Sequence, residues 1–317
     1  MSHPVAILVS DLHFSHNPPV ARSAEPNWYG AMERQWKQLR EEAQSDDLPV
    51  VIAGDIFDQW RSPPELINFV IKLFRGLDIF AIPGQHDLPN HVYADMGRSA
   101  YGTLIMAGAI KSLDPRNTGG IPIRDDAGLW AWSFPWGYYL TPVDEGEVDT
   151  GVVKLAVAHR YVWTNDRNKY PGAPDDQNLA VLKKHLVGYN AAVFGDNHKG
   201  FLTRCGTCNV INCGGFMARK SDERDYKPGY GVLRSNGSIE HVDFDRSQDK
   251  WLDPEDLAKQ VDEPLNLTGL ISGLESLGAD ALDFAEILNR YLDKEKVDEA
   301  VQKLVVQALQ KGREDEA

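Results

Sequence analysis

Asp, His and Gln recur in this sequence at short spacings that suit metal binding. They stand as Asp11-Leu12-His13, Gly54-Asp55-Ile56-Phe57-Asp58, Gly84-Gln85-His86-Asp87, a single His159, and Gly195-Asp196-Asn197-His198. Carboxylate and amide oxygens combined with imidazole nitrogens make a donor set for divalent cations. A cation held by such groups can lower the pKa of a bound water and polarise a substrate oxygen. Each residue alone has a plainer use, since an Asp after a strand is commonly a turn or cap residue and a lone His is commonly inert. Independent turns, however, do not account for five strand ends that all choose ligand-type residues.

The elements that must position these groups are short runs rich in Val and Ile: Val5–Val9, Val50–Ala53, Ile79–Ile82, Val153–Val157 and Ala191–Phe194. Each ends in a polar turn that carries one of the motifs, as buried strands do. Helical patterns alternate with the early strands. Tyr29, Met32, Trp36 and Leu39 share one helix face, and Ser62-Pro63-Pro64-Glu65 reads as a helix start with Ser62 as cap and Pro63 at the first position. In layered α/β folds the loops beyond the carboxyl ends of strands form the ligand crevice, which would bring sequence-distant ligands to one edge. From Phe201 to Asp245 consecutive strand patterns with turns at Gly206-Thr207 and Asn236-Gly237 predict an antiparallel part. After Asp245 the texture turns to acidic amphipathic helices. One apolar stripe runs through Phe284, Ile287, Leu288, Tyr291 and Leu292, and another through Val297, Val301, Leu304, Val305 and Ala308. The expected organisation is a catalytic domain over residues 1–245 and a helical C-terminal region over 246–317.

The motif order resembles that of the calcineurin-like metallophosphoesterases over roughly residues 5–245. The resemblance implies an α/β fold, a layered α-β-β-α sandwich of two mixed sheets, here with a C-terminal helical appendage. It also implies two divalent metal ions. The first would be held by Asp11, His13, Asp55 and His198, and the second by Asp55, Gln85, His159 and Asp196, with Asp55 bridging. Gln85 stands where the family usually has Asn, and Asp196 where it usually has His. An anionic oxygen in place of a nitrogen makes the second site harder, so Mn2+ is favoured over zinc. His86 is expected to protonate the leaving oxygen, with Asp87 orienting its ring, and Asp58 to be a structural or supporting group.

Within the superfamily, the runs around Asp55 and His86, together with Asn212-Cys213-Gly214-Gly215-Phe216, look like the SbcD-type DNA repair nucleases of bacteria and phages. That resemblance implies a metal-dependent DNA exo/endonuclease, the nuclease subunit of a recombination or repair complex. Its acidic tail would dock an SbcC-type ABC ATPase, and a homodimer is compatible with it. The tail could equally be a helical hairpin packed on its own domain. A phosphodiesterase or phosphatase acting on nucleotides or another small substrate, and a catalytically silent scaffold, are the competing readings. Trp60, Trp163 and Arg160 are the residues expected near substrate, Trp60 and Trp163 to stack on bases and Arg160, with Arg167 and Arg219-Lys220, to meet phosphates.

Bulk properties bound these readings. A net charge of −14 excludes a broad basic face for nucleic acid, so much of any DNA affinity would sit on a partner. Three cysteines do not make a disulfide framework; Cys205, Cys208 and Cys213 are expected as free thiols, and a structural zinc lacks a fourth ligand. No stretch approaches the length of a membrane helix and nothing near Met1 resembles a cleavable signal, so a cytoplasmic protein is expected, in the host cytoplasm if phage-encoded.

Overall fold

The structure is a computed structural model that describes residues 2–253 except 125, 127, 144–150, 221–222 and 225–226. The strands expected from the Val/Ile runs form as β1 (Pro4–Val9), β2 (Val50–Ala53), β3 (Ile79–Ile82), β7 (Val153–His159) and β8 (Ala191–Gly195). β4 (Lys111–Ser112), β5 (Ile121–Arg124) and β6 (Leu129–Phe134) complete the first half of the strand set. The sequence reading passed over β6 because its apolar run, Leu-Trp-Ala-Trp-Ser-Phe, is aromatic and interrupted by Ser133. Two hairpins follow, β9 (Phe201–Cys205) with β10 (Cys208–Asn212), and β11 (Gly229–Arg234) with β12 (Ile239–Asp243).

These strands make two six-stranded sheets, in the orders β12-β11-β1-β2-β3-β4 and β5-β6-β7-β8-β10-β9. Both are mixed. β1 to β4 pair in parallel while β11 and β12 join antiparallel, and β6, β7, β8 and β10 pair in parallel between antiparallel β5 and β9. Alternating side chains of one strand serve different layers, as the two-residue period of a strand requires. In β2, Val51 and Ala53 enter the core between the sheets while Val50 and Ile52 face outward. In β8, Ala191 and Val193 enter that same core, and Ala192 and Phe194 face the opposite side. A one-residue slip would exchange the two sets, so register is fixed by burial on both faces.

The outward face of the first sheet is covered by α1 (Trp28–Ser45), α2 (Pro64–Phe74) and α3 (Ala100–Met106), which contribute Met32, Trp36, Leu39, Leu66, Val70 and Tyr101 to one core. The second sheet is covered on its outer side by Leu179 and Leu182 of the short α4 (Leu179–Leu182), with Leu186 and Tyr189. The α-β-β-α sandwich is therefore present. Asn27 caps α1 by accepting from Gly30 N at 2.9 Å. The start of α2 departs from expectation: Pro64, not Pro63, is its first residue, and Ser62 does not cap it. The Ser62 hydroxyl donates instead to the Gln59 carbonyl at 3.0 Å, which leaves it no role at the helix end.

Cys205 and Cys208 face each other across the β9–β10 hairpin, and all three cysteines are buried free thiols. No helix among the described residues is long and apolar enough to cross a membrane. Residues 246–252, grouped with the tail in the sequence reading, pack on the sandwich. Arg22, fully buried, donates to the carbonyls of Lys250 (3.0 Å) and Ala218 (2.9 Å) and pairs with Glu25 (2.7 Å) and Asp249 (3.0 Å). The compact unit runs Met1–Leu252. The two apolar stripes expected in the tail lie outside the described residues.

Removing this guanidinium takes the most buried cation from Glu25 and Asp249, which retain Arg34 at 3.5 and 3.2 Å and, for Asp249, Arg246 at 3.1 Å, and it leaves two buried carbonyls without their donor. Arg22→Met should lower stability by about 3–5 kcal/mol, read as a fall in the urea midpoint; an unchanged midpoint would show that the cluster contributes no net stability.

Candidate metal centre

The chemically promising residues lie at or just past the ends of parallel strands, and at four of them the backbone is forced into an unusual conformation. Asp11, His13, Asp55 and Asp196 have φ of 51°, 44°, 53° and 76°, in the left-handed region that non-glycine residues avoid. Such conformations cost on the order of 1–3 kcal/mol each and persist where the surroundings over-determine them. Main-chain bonds between neighbouring loops do so here. Asp11 N donates to Gly54 O (3.0 Å), His13 N to Asp55 O (3.0 Å) and Phe14 N to Ile56 O (2.9 Å).

The result is a convergence of ligand atoms. Asp55 Oδ2 lies 3.3 Å from His159 Nε2 and 3.7 Å from His13 Nε2, and His13 Nε2 is 3.0 Å from His198 Nε2. Two imidazole nitrogens this close require a proton or a cation between them. Three overlapping groups, Asp11–His13–His198, Asp11–Asp55–His159 and His13–Asp58–His86, each bring their ligand atoms within 4.8 Å of one another. Asp11 Oδ2, Asp55 Oδ2, Gln85 Oε1 and His159 Nε2 are buried and make no hydrogen bond. Unsatisfied polar atoms of this kind are costly unless something else binds them. The residues therefore fit divalent cations, with Asp11, His13 and His198 converging at one position and Asp11, Asp55 and His159 at another.

Supporting bonds orient these donors. His159 Nδ1 bonds the Ala53 carbonyl at 2.7 Å, which turns Nε2 toward Asp55. Gly84 is required beside them, because a β-carbon there would overlap Asp55 Oδ1 and come within 2.6 Å of His159 Nε2. Asn197, fully buried, donates to the carbonyls of Val162 (2.7 Å) and Asn168 (2.8 Å) and ties the loop after β8 to the one after β7.

Electrostatics follow from this packing. Burial lowers His13 to about 4, so its ring is neutral and available as a ligand. Burial raises Asp11 to about 6. Burial also opposes ionisation of Asp55, but the adjoining His159 outweighs it and holds the carboxyl well below the usual range. His159 is correspondingly raised, against its own burial, chiefly by Asp55.

Two residues near the centre carry more than the sequence suggested. Arg219 was expected to meet phosphate; it is mostly buried and pairs with Asp58 at 2.6 Å, and Asp58 Oδ1 is 3.6 Å from His13 Nδ1. Glu223 was missed, because no motif marks it. Its carboxylate lies 3.5 Å from His198 Nδ1 and accepts from Arg219 N (2.7 Å) and Lys220 N (3.1 Å). Burial pushes Glu223 up, but the His198 partner and these amides bring it down to about 2.

Other expectations are corrected. Asp87 does not orient the ring of His86. It is fully buried and accepts from the backbone of Ile56 (3.2 Å), Phe57 (3.0 Å) and Gly84 (3.0 Å), so it shapes the loops rather than the acid. The Asp58 carbonyl takes that part, 2.9 Å from His86 Nδ1. Asp196 joins none of the three ligand groups, and its carboxylate accepts from Gln85 Nε2 at 2.7 Å. Trp163 is buried, with its indole N–H on Pro174 O at 3.0 Å, so it packs its own loop instead of facing substrate. Arg160, next to His159, is partly buried, and Trp60 is partly exposed beside Gln85 and His86.

A family model described as calcineurin-like phosphoesterase matches residues 5–200, the stretch that delivers every donor described above. The chain belongs to that family. It is therefore a metallophosphoesterase, a hydrolase of phosphate esters that works with divalent cations. Among solved structures it is similar to a dimetal phosphatase from Danio rerio, at 12% identity and a TM-score of 0.44, over 77% of this chain and 100% of that one. It is also similar to a putative 5'-nucleotidase from Staphylococcus aureus, at 15% identity and a TM-score of 0.43, over 81% of this chain and 57% of that one. At such identities neither likeness carries a substrate across. No curated relative matches the chain.

The glycine beside Asp55 offers a direct check on this metallophosphoesterase centre. Gly84→Ala should displace the Asp55 carboxylate and lower phosphoesterase activity about 100-fold, the penalty expected of a 1 Å misplacement. Hydrolysis of a chromogenic phosphodiester measures it, and full activity would mean that Asp55 is not held where the fold places it.

Proposed function

We propose that the chain is a metal-dependent DNA nuclease, the nuclease subunit of a repair or recombination complex, whose C-terminal region beyond residue 252 docks an SbcC-type ABC ATPase. The observation that carries the nuclease reading is a cavity of about 400 Å³ that runs from Gln85 and His86 past Asp58 to Trp60, Arg61, Asn90 and His91. It is of a size that holds a small organic ligand. A phosphomonoester needs room on one side of the phosphorus only, whereas a diester needs room for a second nucleoside. Within the cavity the Arg61 guanidinium lies 4.8 Å from the centre of the Trp60 ring. A cation on an aromatic face suits a stacked base beside a phosphate.

His86 is placed to serve the leaving oxygen. Its ring Nδ1–H is directed at the Asp58 carbonyl, and its main-chain N–H donates to Asp55 Oδ1 at 2.9 Å. That fixes the ring and leaves Nε2 as the atom that holds or releases a proton at the edge of the cavity. Divalent ions bound by Asp11, His13, Asp55, His159, His198 and Gln85 would supply Lewis acidity toward water and the phosphoryl oxygens. The oxygen-rich donor set around Asp55 and Gln85 favours a hard ion, and Mn2+ is the choice.

A nucleotide phosphodiesterase is the second reading, favoured by the acidic total of −14. Cleavage of an end-labelled linear DNA duplex in Mn2+ separates the two. The nuclease reading expects chelator-sensitive cutting that Asp55→Ala abolishes and His86→Ala lowers by about 10²–10⁴-fold. Hydrolysis of small phosphodiesters with DNA left intact would replace it with the second reading.

A further inference from the structure

The two positions at which the ligand pattern is unusual, Gln85 and Asp196, follow strands of different sheets and are bonded to each other. Gln85 Nε2 donates to Asp196 Oδ1 at 2.7 Å. We infer that Asp196 is a positioning residue rather than a metal ligand, and that it turns the Gln85 amide so that its oxygen faces the second cation position. This rests on the reading of the cluster as a metal centre.

Three observations carry the inference. A carboxylate can only accept, so the amide must present its NH2 to Asp196, and the carbonyl oxygen must point elsewhere. That oxygen, Gln85 Oε1, is buried and makes no hydrogen bond, which is the condition of a donor held ready for a cation. Asp196 itself shares none of the three clusters of ligand atoms among the described residues. Its backbone is committed to the same task. Asp196 N donates to Asp11 Oδ1 at 2.9 Å, and the residue is held at φ 76°, so both its main chain and its side chain act on other donors. A Gln side chain has one more rotatable bond than Asn and would sample more orientations; the charge-assisted bond to Asp196 removes that freedom.

Asp196 and Gln85 would then be interdependent, which suggests an exchange of partners. Mn2+ titration of the metal-free protein by calorimetry, with the free ion followed by electron paramagnetic resonance, gives a readout independent of turnover. Wild type should bind two ions. Asp196→Ala should weaken the second by about 10–100-fold, whereas Asp196→Asn should leave it nearly unchanged, because the Asn oxygen still accepts from the Gln85 amide. Gln85→Glu would make a stronger ligand by charge, yet should weaken the second ion, since two carboxylates would then face each other. Adding Asp196→Asn to Gln85→Glu should restore binding, with the Asn amide now donating to the Glu. Near-UV circular dichroism of each metal-free variant checks that the fold is kept, and the Asn pair serves if the Ala variant fails to fold.

Equal losses from Asp196→Asn and Asp196→Ala, with Gln85→Glu tighter than wild type, would overturn the inference and make Asp196 a ligand in its own right. Wild type that binds no divalent ion would instead overturn the metal reading beneath it.

Discussion

Asp55 is the group on which the centre depends. Its Oδ2 lies between His159 and His13 at 3.3 and 3.7 Å, and its Oδ1 accepts the main-chain N–H of His86 at 2.9 Å. A single buried carboxylate thus touches the loops after β1 and β3 and the last residue of β7 while itself following β2. Placing an ionised group where it is almost wholly inaccessible is unfavourable unless cations or donors surround it. The fold supplies a main-chain donor to Oδ1 and leaves Oδ2 facing the rings of His159 and His13 without a hydrogen bond. The glycine beside it and the left-handed residues around it are consequences of that crowding. Gly84 has no β-carbon because Asp55 and His159 occupy the space, and Asp11, His13 and Asp55 accept strained backbones because a relaxed one would aim their side chains elsewhere.

Much of this arrangement was legible in the sequence, and the physical reason is periodicity. A strand buried on both faces must be a short apolar run, and a parallel strand must end at the edge where its neighbours end, so the polar residue after each run becomes a neighbour of the others. Asp11, His13, Asp55, His159 and His198 meet for that reason. Residues whose role depends on a side-chain direction were not legible. Asp87 adjoins His86 in sequence, but the tight turn at Gly84–Asp87 points its carboxylate inward to three backbone amides. Trp163 lies only four residues past His159, yet its indole bonds the carbonyl of Pro174 within its own loop. Glu223 follows no strand end and belongs to no motif, and it is brought to His198 by the path of the chain after β10. The end of the compact unit was similarly hidden, because residues 246–252 carry the acidic texture of the tail but one of them, Asp249, answers the buried Arg22.

The acidic total and a phosphate-bearing substrate are compatible once charge is considered locally. Screening at physiological ionic strength confines the reach of exposed charges to about 8 Å, so a substrate phosphate responds to its immediate surroundings and not to the sum over the chain. Around the centre those surroundings contain Arg61 on the Trp60 face and Arg219 on Asp58. The Arg219 guanidinium neutralises the carboxylate nearest His13 Nδ1, and its Nε is buried and without a partner. Cations bound by the carboxylates of Asp11 and Asp55 would reverse the sign of the remaining charge at that edge of the sandwich. An acidic site of this kind repels phosphate while Asp11 and Asp55 stand uncompensated, so a divalent ion held by these carboxylates would supply both Lewis acidity and the charge that lets substrate approach.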